Sequence, residues 1–480
     1  VPQSIQSPSK LPEELSVTLS RTAKWITAVV IALLVYWGID VPTDLADPKT
    51  PLFLAITVGT VVVWAFELMP AAAAGVGMLF LYALFVVPPK VAFATFNTFL
   101  PWITFSSLII ADAMLNSGLG KRIALRSMLL LGSSYSKTMI GLMLSGFVVV
   151  LLVPALLARV VIYMAIAQGL VAALDVDPKS RTSSSLIFGG FLAAVAPSLF
   201  ILTGSEINLM GMYSTWDVTG EQKPWTDFLI QMGPLNILYM AFSTFMIFMI
   251  RGKDPLPGEN NLENILRLRL AEMGNIKPSE IKVLVLLVVG LLAFIFEKQI
   301  GYPGTMVYSL VMLLAFLPGI DLCDGKSFSK LNLSFVFFLA SCQAIGMVAG
   351  ELHVDKWLSD LMLPLLQGQG NTMAVLITYL SGLLINFLLT PMAATGSMCG
   401  PLAQLALQLG IDPQVLTYSF LYGLEQYVLP YEIGVFMYIF VTGAITHKHV
   451  VPALALRMVF VPIMLAIVAV PYWTFLGLLK

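Results

Sequence analysis

Apolar runs about as long as a bilayer is thick follow one another through the whole chain, separated by short polar connections. They lie near 23–39, 51–66, 70–88, 99–115, 184–210, 228–250, 280–297, 303–319, 332–348, 415–445 and 454–479. A hydrocarbon core about 30 Å thick is crossed by about 20 helical residues, so these eleven runs read as membrane-spanning helices. Two further apolar stretches, about 137–173 and 372–408, are each too long for one crossing and are broken near the middle, at Pro154 and Pro391. Proline has no N–H to donate and disfavours helix in the residue before it. Each stretch therefore reads as a re-entrant helical hairpin that enters and leaves by one face. The bland alternative is two ordinary proline-kinked helices with a short hairpin between them.

The order of elements recurs. A span ending near Leu115 precedes an amphipathic segment (Gly118–Met128), a broken stretch, and a span interrupted at Thr203-Gly204-Ser205. Later, a span ending near Val348 precedes the amphipathic Glu351–Met362, the second broken stretch, and a span interrupted at Leu429-Pro430-Tyr431. Five spans separate the copies, an odd number, so the second copy is expected upside down relative to the first. The chain divides into a polar segment (1–22), a first half (23–250), a linker (251–279) and a second half (280–480). Inverted repeats with interrupted helices are the pattern of secondary transporters, whose sites lie at the repeat interface. The physical reason is that a helix broken in hydrocarbon strands N–H and C=O groups, at several kcal/mol each. Such breaks persist only where they line an enclosed cavity.

Composition agrees with lipid as the solvent. The 480 residues are 58% hydrophobic and 11% charged, with mean hydropathy +0.89, against about 25% charged in a soluble domain. With the amino terminus inside, loops assigned to the inner face hold nineteen of the 26 Lys and Arg, the outer segments hold six, and Arg159 alone is within the membrane. That bias follows the positive-inside rule. The amino terminus is thus expected in the cytoplasm and the carboxyl terminus outside, in a multi-pass cell-membrane protein. The first 24 residues are polar and no cleavable signal peptide is read there. Cys323, Cys342 and Cys399 lie far apart and form no disulfide or metal pattern, and His447-Lys448-His449 reads as a wet loop. No P-loop, zinc motif or nucleophile–base spacing is present, which leaves an enzyme without a catalytic constellation. No nucleic-acid partner is expected.

At the breaks the sequence resembles the divalent anion–sodium symporter family of dicarboxylate, citrate and tartrate transporters. Val153–Arg159 (VPALLAR), Thr203–Leu209 (TGSEINL), Arg269–Lys282 (RLAEMGNIKPSEIK) and the stretch 410–438 carry the resemblance, which runs in order of elements through nearly the whole chain. It implies a small organic anion as substrate, an elevator-type movement and a homodimer. In that family each hairpin tip carries Ser-Asn-Thr, which holds substrate carboxylate and sodium. Here Ala155-Leu156-Leu157 stand at the first tip and Thr390-Pro391-Met392-Ala393-Ala394 at the second. Side chains of Ala, Leu, Met and Pro donate no hydrogen bond, so any anion or cation at these tips must meet backbone groups instead.

Ionisable residues inside spans are functional candidates by default. Arg159 follows the first tip and suits an anionic substrate, or else it holds structure. Glu206 and Glu432 occupy matching places in the two interruptions, with Glu425 just before the second. A buried glutamate can exchange protons near neutral pH, so these three are candidate ion-coupling residues; an ion pair between a glutamate and Arg159 that merely holds the hairpin is the alternative. Ser145 joins them by the resemblance, since it stands where that family often has a sodium-ligand serine; a serine at a helix contact is the alternative. Asp112 is expected nearer the inner interface than the site. The expected binding set is Ala155, Leu156, Leu157, Arg159, Thr203, Gly204, Ser205, Asn208, Thr390, Pro391, Met392, Ala393, Pro430 and Tyr431. No cofactor is expected; sodium or a proton would be the coupling ion. Secondary transport of a di- or tricarboxylate-like anion is the leading expectation. A proton-coupled carrier of a less polar substrate, or a membrane sensor or scaffold without transport, remains as the alternative.

Overall fold

A computed structural model describes residues 21–39, 46–132, 134–153, 155–387, 389–428, 432–441 and 443–479. Pro154, Pro430 and Tyr431, three positions of the sequence reading, fall outside the described residues. Among the described residues every regular element is helical. Eight helices are long and apolar enough to cross a membrane, and four shorter apolar ones are Thr50–Ala65, Ala71–Phe85, Gly304–Phe316 and Gly370–Asn386. The fold is that of an all-α integral membrane protein.

Single-turn helices aside, the chain opens with α1 (Arg21–Gly38), α2 (Thr50–Ala65) and α3 (Ala71–Phe85). There follow α4 (Phe99–Ser117), α5 (Leu119–Leu131), the pair α6 (Tyr135–Leu152) and α7 (Leu156–Ala173), then α8 (Arg181–Val195), α9 (Glu206–Thr219) and α10 (Trp225–Arg251). The connection carries α11 (Leu262–Glu272). The second half has α12 (Pro278–Ile295), α13 (Gly304–Leu313), α14 (Leu333–Glu351) and α15 (Val354–Leu366). It continues with the pair α16 (Gly370–Asn386) and α17 (Pro391–Leu409), then α18 (Pro413–Leu424), α19 (Gly434–Val441) and α20 (His447–Met464). Five helices recur at nearly constant spacing: starts at 71, 99, 119, 135 and 156 match starts at 304, 333, 354, 370 and 391, displaced by 233 to 235 residues. The element order read from the sequence is thus present as a measured repeat of helices.

Local chemistry sets the boundaries. Ser180 accepts from the Ser183 amide at 3.0 Å to start α8, and Asp412 accepts from Gln414 before Pro413 opens α18. Both are side-chain caps for amides that the first turn leaves without partners. Gly118, at φ 83°, turns the chain from α4 into α5, a backbone conformation that suits glycine.

Contacts fix how the elements run. Tyr135 meets Ser185 at 2.6 Å, and Gly146, further along α6, lies against Ala193, further along α8; the two helices are parallel. Ser145 and Tyr163 meet at 2.9 Å, on either side of the break between α6 and α7, so that pair folds back on itself. The second half repeats the scheme: Ser419 donates to the Val375 carbonyl at 2.5 Å and Gly423 abuts Tyr379, making α16 and α18 parallel. These approaches depend on missing side chains. A β-carbon on Gly146 would lie 2.0 Å from the Ala193 carbonyl oxygen, and one on Gly423 2.3 Å from that of Tyr379. Small residues let helices touch along their backbones where lipid offers no hydrophobic drive.

Two expectations about charge change. Arg457, counted above on an inner loop, is fully buried within α20. The histidines, read as a wet loop, instead open α20 and are half-buried beside exposed Lys448: His447 Nε2 lies 3.1 Å from the Val428 carbonyl and His449 Nδ1 3.0 Å from the Ser184 hydroxyl. Arg122 is likewise buried, bridged to Glu280 and to the carbonyls of Met273, Gly274 and Asn275. It fastens α5 to the connection between the halves.

Substituting Gly146 or Gly423 by alanine should destabilise the fold by about 1–3 kcal/mol through overpacking. Gly169→Ala in α7, where nothing lies within 4 Å, should be neutral or slightly stabilising. Thermal melting of the purified variants in detergent reads the difference; equal melting of all three would refute the close approach.

Candidate functional site

Both broken pairs and both interrupted spans meet at one cavity of about 440 Å³. Ala155, Leu156 and Leu157 enter it from the first tip, Thr390, Pro391 and Met392 from the second, Glu206 and Ile207 from the start of α9, and Ile433 and Val435 from the far side of the second interruption. Positions more than 230 residues apart in sequence are brought to one wall. The lining is mainly apolar; its charged groups are Asp112, Glu206 and Lys330, with Asn332 and Thr390 as neutral polar groups. Asp112 therefore lines the cavity, against the expectation that set it apart, and Lys330 is a positive charge the sequence reading left on a loop.

The first break is built by backbone accounting. Val153 and Ala155 are extended (φ −120°, ψ 100° and φ −80°, ψ 105°), as Pro154 requires of its neighbour. Between α8 and α9 the chain passes through single 3₁₀ turns with extended Ile201 and Ser205, stranding carbonyls. Side chains collect them. The Arg159 guanidinium donates to the carbonyls of Val153 (2.6 Å), Ala194 (3.1 Å) and Gly204, and to the Ser198 hydroxyl (2.9 Å). Asn208 donates to Ser198 (2.8 Å) and Ile201 (3.1 Å), and Asn236 to Ala196 (3.0 Å). Arg159 is fully buried and does not line the cavity. It stitches the first tip to the first interruption through oxygen atoms of the backbone rather than through a carboxylate.

The remaining sequence candidates divide. Thr203 accepts from the Trp225 indole at 3.1 Å, Gly204 serves Arg159, and Ser205 caps α9 by accepting from the Asn208 amide at 3.2 Å; these three stand behind the wall. Ser145 lies in the contact between the arms of the first pair. Thr390 caps α17, accepting from the Ala393 amide, and faces two spaces at once. The second is a cavity of about 220 Å³, lined by Thr390, Ala393, Asn386, Glu432, Glu67 and Trp64 among others. Asn386 is 2% exposed, and both its amide oxygen and its amide nitrogen lack a partner in the chain. Glu432 accepts from the Val428 amide at 2.7 Å. Glu425 lines neither cavity.

Three helix amino termini, those of α7, α9 and α17, open on the larger cavity. Unsatisfied amides and the helix dipole make such ends favourable to negative charge. Ser205 and Thr390 cap two of them. Ala155 has no side-chain acceptor and leaves α7 without a cap; there the Glu206 carboxylate faces the Leu156 amide. Glu206 is thus a built-in anion at the terminus that a bound anion would also seek.

Residues 20–479 match the family described as the sodium:sulfate symporter transmembrane region, and the chain belongs to that family. It is 24% identical to the inner membrane protein YbhI of Escherichia coli over 64% of this chain, and spans 65% of that protein's length, just under two thirds. It is 24% identical to the sodium-dependent dicarboxylate transporter SdcS of Staphylococcus saprophyticus over 78% of this chain and 76% of that one. With the L-tartrate/succinate antiporter of Escherichia coli O157:H7 it shares 22% identity over 82% and 86% of the two chains.

The three native cysteines are buried, so introduced ones report cleanly. Leu157→Cys, at a cavity residue 51% exposed, should react with a small maleimide at least about tenfold faster than Ile187→Cys, buried inside α8, since only accessible thiolates react. Equal rates, followed by mass spectrometry, would contradict the cavity.

Proposed function

Starting from that family membership, we propose that the chain is a secondary transporter of a small organic dianion, a dicarboxylate or a close relative, and not an enzyme. The observation that carries this reading is the convergence of both broken pairs and both interruptions on one cavity. Two hydrocarbon-embedded breaks are costly unless they serve an enclosed solute site. The names of the relatives supply the substrate class. A volume of about 440 Å³ suits a small ligand. One substrate carboxylate would meet the amides at the uncapped start of α7, the other Lys330.

The finer reading is eleven spans with two re-entrant hairpins, in inverted halves, moving in an elevator manner as a homodimer in the cell membrane. With the basic loops inside, the cavity bearing Asp112 and Lys330 opens toward the cytoplasm, so the structure is read as an inward-facing state. Sodium is the proposed coupling ion, and the smaller cavity is its proposed place. A hard cation needs oxygen ligands. Asn386, Thr390 and Glu432 offer an amide oxygen, a hydroxyl and a carboxylate there, without the missing Ser-Asn-Thr side chains.

A specific observation favours a second reading of the coupling. Because Glu206 faces the same amide a substrate anion would seek, its carboxylate competes with and repels that anion. Protonation turns it into a donor and frees the amide, so a proton would enter with the substrate.

Uptake of labelled succinate, tartrate and sulfate into proteoliposomes tests both. Under the first reading an inward sodium gradient drives uptake, and Asn386→Ala or Glu432→Gln lowers the sodium stimulation about tenfold, the scale of a lost metal-site partner. Under the second, uptake follows an inward proton gradient, and Glu206→Gln removes that dependence. No uptake of any of the three anions under either gradient would reject the transport reading in favour of a sensor or scaffold.

A further inference from the structure

Unpaired polar atoms are few in folded interiors, and here five of them gather where the second interruption begins. The Tyr422 and Tyr427 hydroxyls, Glu425 Oε2, Gln426 Oε1 and Arg457 Nε are buried and make no hydrogen bond of normal geometry, although the Tyr427 hydroxyl stands beside both the Glu425 carboxylate and the Arg457 guanidinium. Ring contacts bring Arg457, Tyr427 and Tyr422 together, and Glu425 stands beside the same three residues. The Arg457 guanidinium lies 4.7 Å above the Tyr427 ring centre and donates to the Tyr239 hydroxyl at 3.4 Å, while the Tyr239 ring meets the Tyr422 ring edge-on at 6.0 Å. None of the five residues lines either cavity described above.

The mixture of groups selects the occupant. A metal cation would be repelled by Arg457, and an anion would meet the Glu425 carboxylate and the Gln426 carbonyl. Water donates and accepts at once, and a buried water makes about three hydrogen bonds to groups left unpaired. Segment 425–428 itself is unwound between α18 and α19. It is held from α20: Arg457 donates to the Tyr427 carbonyl at 3.0 Å and His447 lies 3.1 Å from that of Val428. The charged or titratable groups facing Glu425 are Arg457 from α20, Arg159 from α7, Tyr239 from α10, and Tyr422 and Tyr427 from its own stretch, while His447 and Glu432 meet the neighbouring Val428.

We propose that these atoms enclose an internal water pocket in which Glu425 binds and releases one proton, with Arg457 as its fixed counter-charge. On uptake an O–H bond forms at Oε2 as one breaks on a hydronium in the pocket, leaving water; release is the reverse. Because the same guanidinium holds the Tyr427 carbonyl, the charge on Glu425 sets how firmly α20 grips the unwound segment. That segment leads directly to Ile433 and Val435 of the larger cavity. The proposal goes beyond the transport reading and does not need a substrate.

Infrared difference spectra of the purified protein in lipid, taken between about pH 5 and about pH 9, where buried carboxyls can change charge, test it. A protonated-carboxyl band should grow as pH falls and lose the intensity of one carboxyl in Glu425→Gln; the component lost there should survive in Glu206→Gln, whatever Glu206 adds of its own. Tyr427→Phe removes one water-holding hydroxyl and keeps the ring over which Arg457 sits, and should move the band's midpoint by about one pH unit. A wild-type protein without such a band overturns the proposal, as does full intensity in Glu425→Gln. Should Glu425→Gln fail to fold, an unmoved midpoint in Tyr427→Phe overturns it instead.

Discussion

The structure depends on satisfying backbone groups where helices stop inside its buried, apolar body. An unpaired carbonyl in an apolar interior costs several kcal/mol, and helices stop inside the buried body of the fold at two broken pairs and two interruptions. At the first interruption Arg159, Asn208 and Asn236 collect the stranded carbonyls from 194 to 204. At the second, Arg457, His447 and Glu432 hold residues 427 and 428. Each half therefore has a buried arginine whose work is structural first. An isolated guanidinium in a membrane interior is expensive; several carbonyl acceptors around it are what make it tolerable, and they in turn hold the break open.

Much of this was legible in the sequence, because the constraint writes itself into hydrophobic pattern. Prolines at 154 and 391 and Thr203-Gly204-Ser205 located three of the four breaks, the fourth, at Leu429-Pro430-Tyr431, lying outside the described residues, and the recurrence of elements became a spacing of 233 to 235 residues between helix starts. Contact and direction were less legible. Arg159 could be placed at the tip but not aimed, and it points to carbonyls rather than the cavity. Arg457 escaped because it lies only three residues into the apolar run read from 454, where it passed for an inner-face residue, whereas α20 already starts at His447 and holds it in the helix interior. Asp112 and Lys330 were missed for another reason. Each sits near the end of an element, where sequence alone cannot tell a cavity rim from a membrane surface.

The lost Ser-Asn-Thr tips have a physical counterpart in what replaces them. The first tip ends in an uncapped helix, so backbone amides stand where hydroxyl and amide side chains would otherwise be expected from the resemblance. Glu206 faces them, a carboxylate fixed beside the place that an anionic solute needs. At the second tip, Asn386 moves the amide four residues back from Thr390 into a separate, smaller space with Glu432 and Glu67. On the proposed function, the groups that would meet a solute are main chain and neighbouring carboxylates rather than side chains at the tips.

The most direct measurement is a density map of the protein in a lipid disc with saturating succinate. The account predicts solute density in the larger cavity, against the amides that open α7 between Leu156 and Ala158. Density elsewhere, or residues 137–173 and 372–408 crossing the bilayer from face to face as continuous rods, would contradict it.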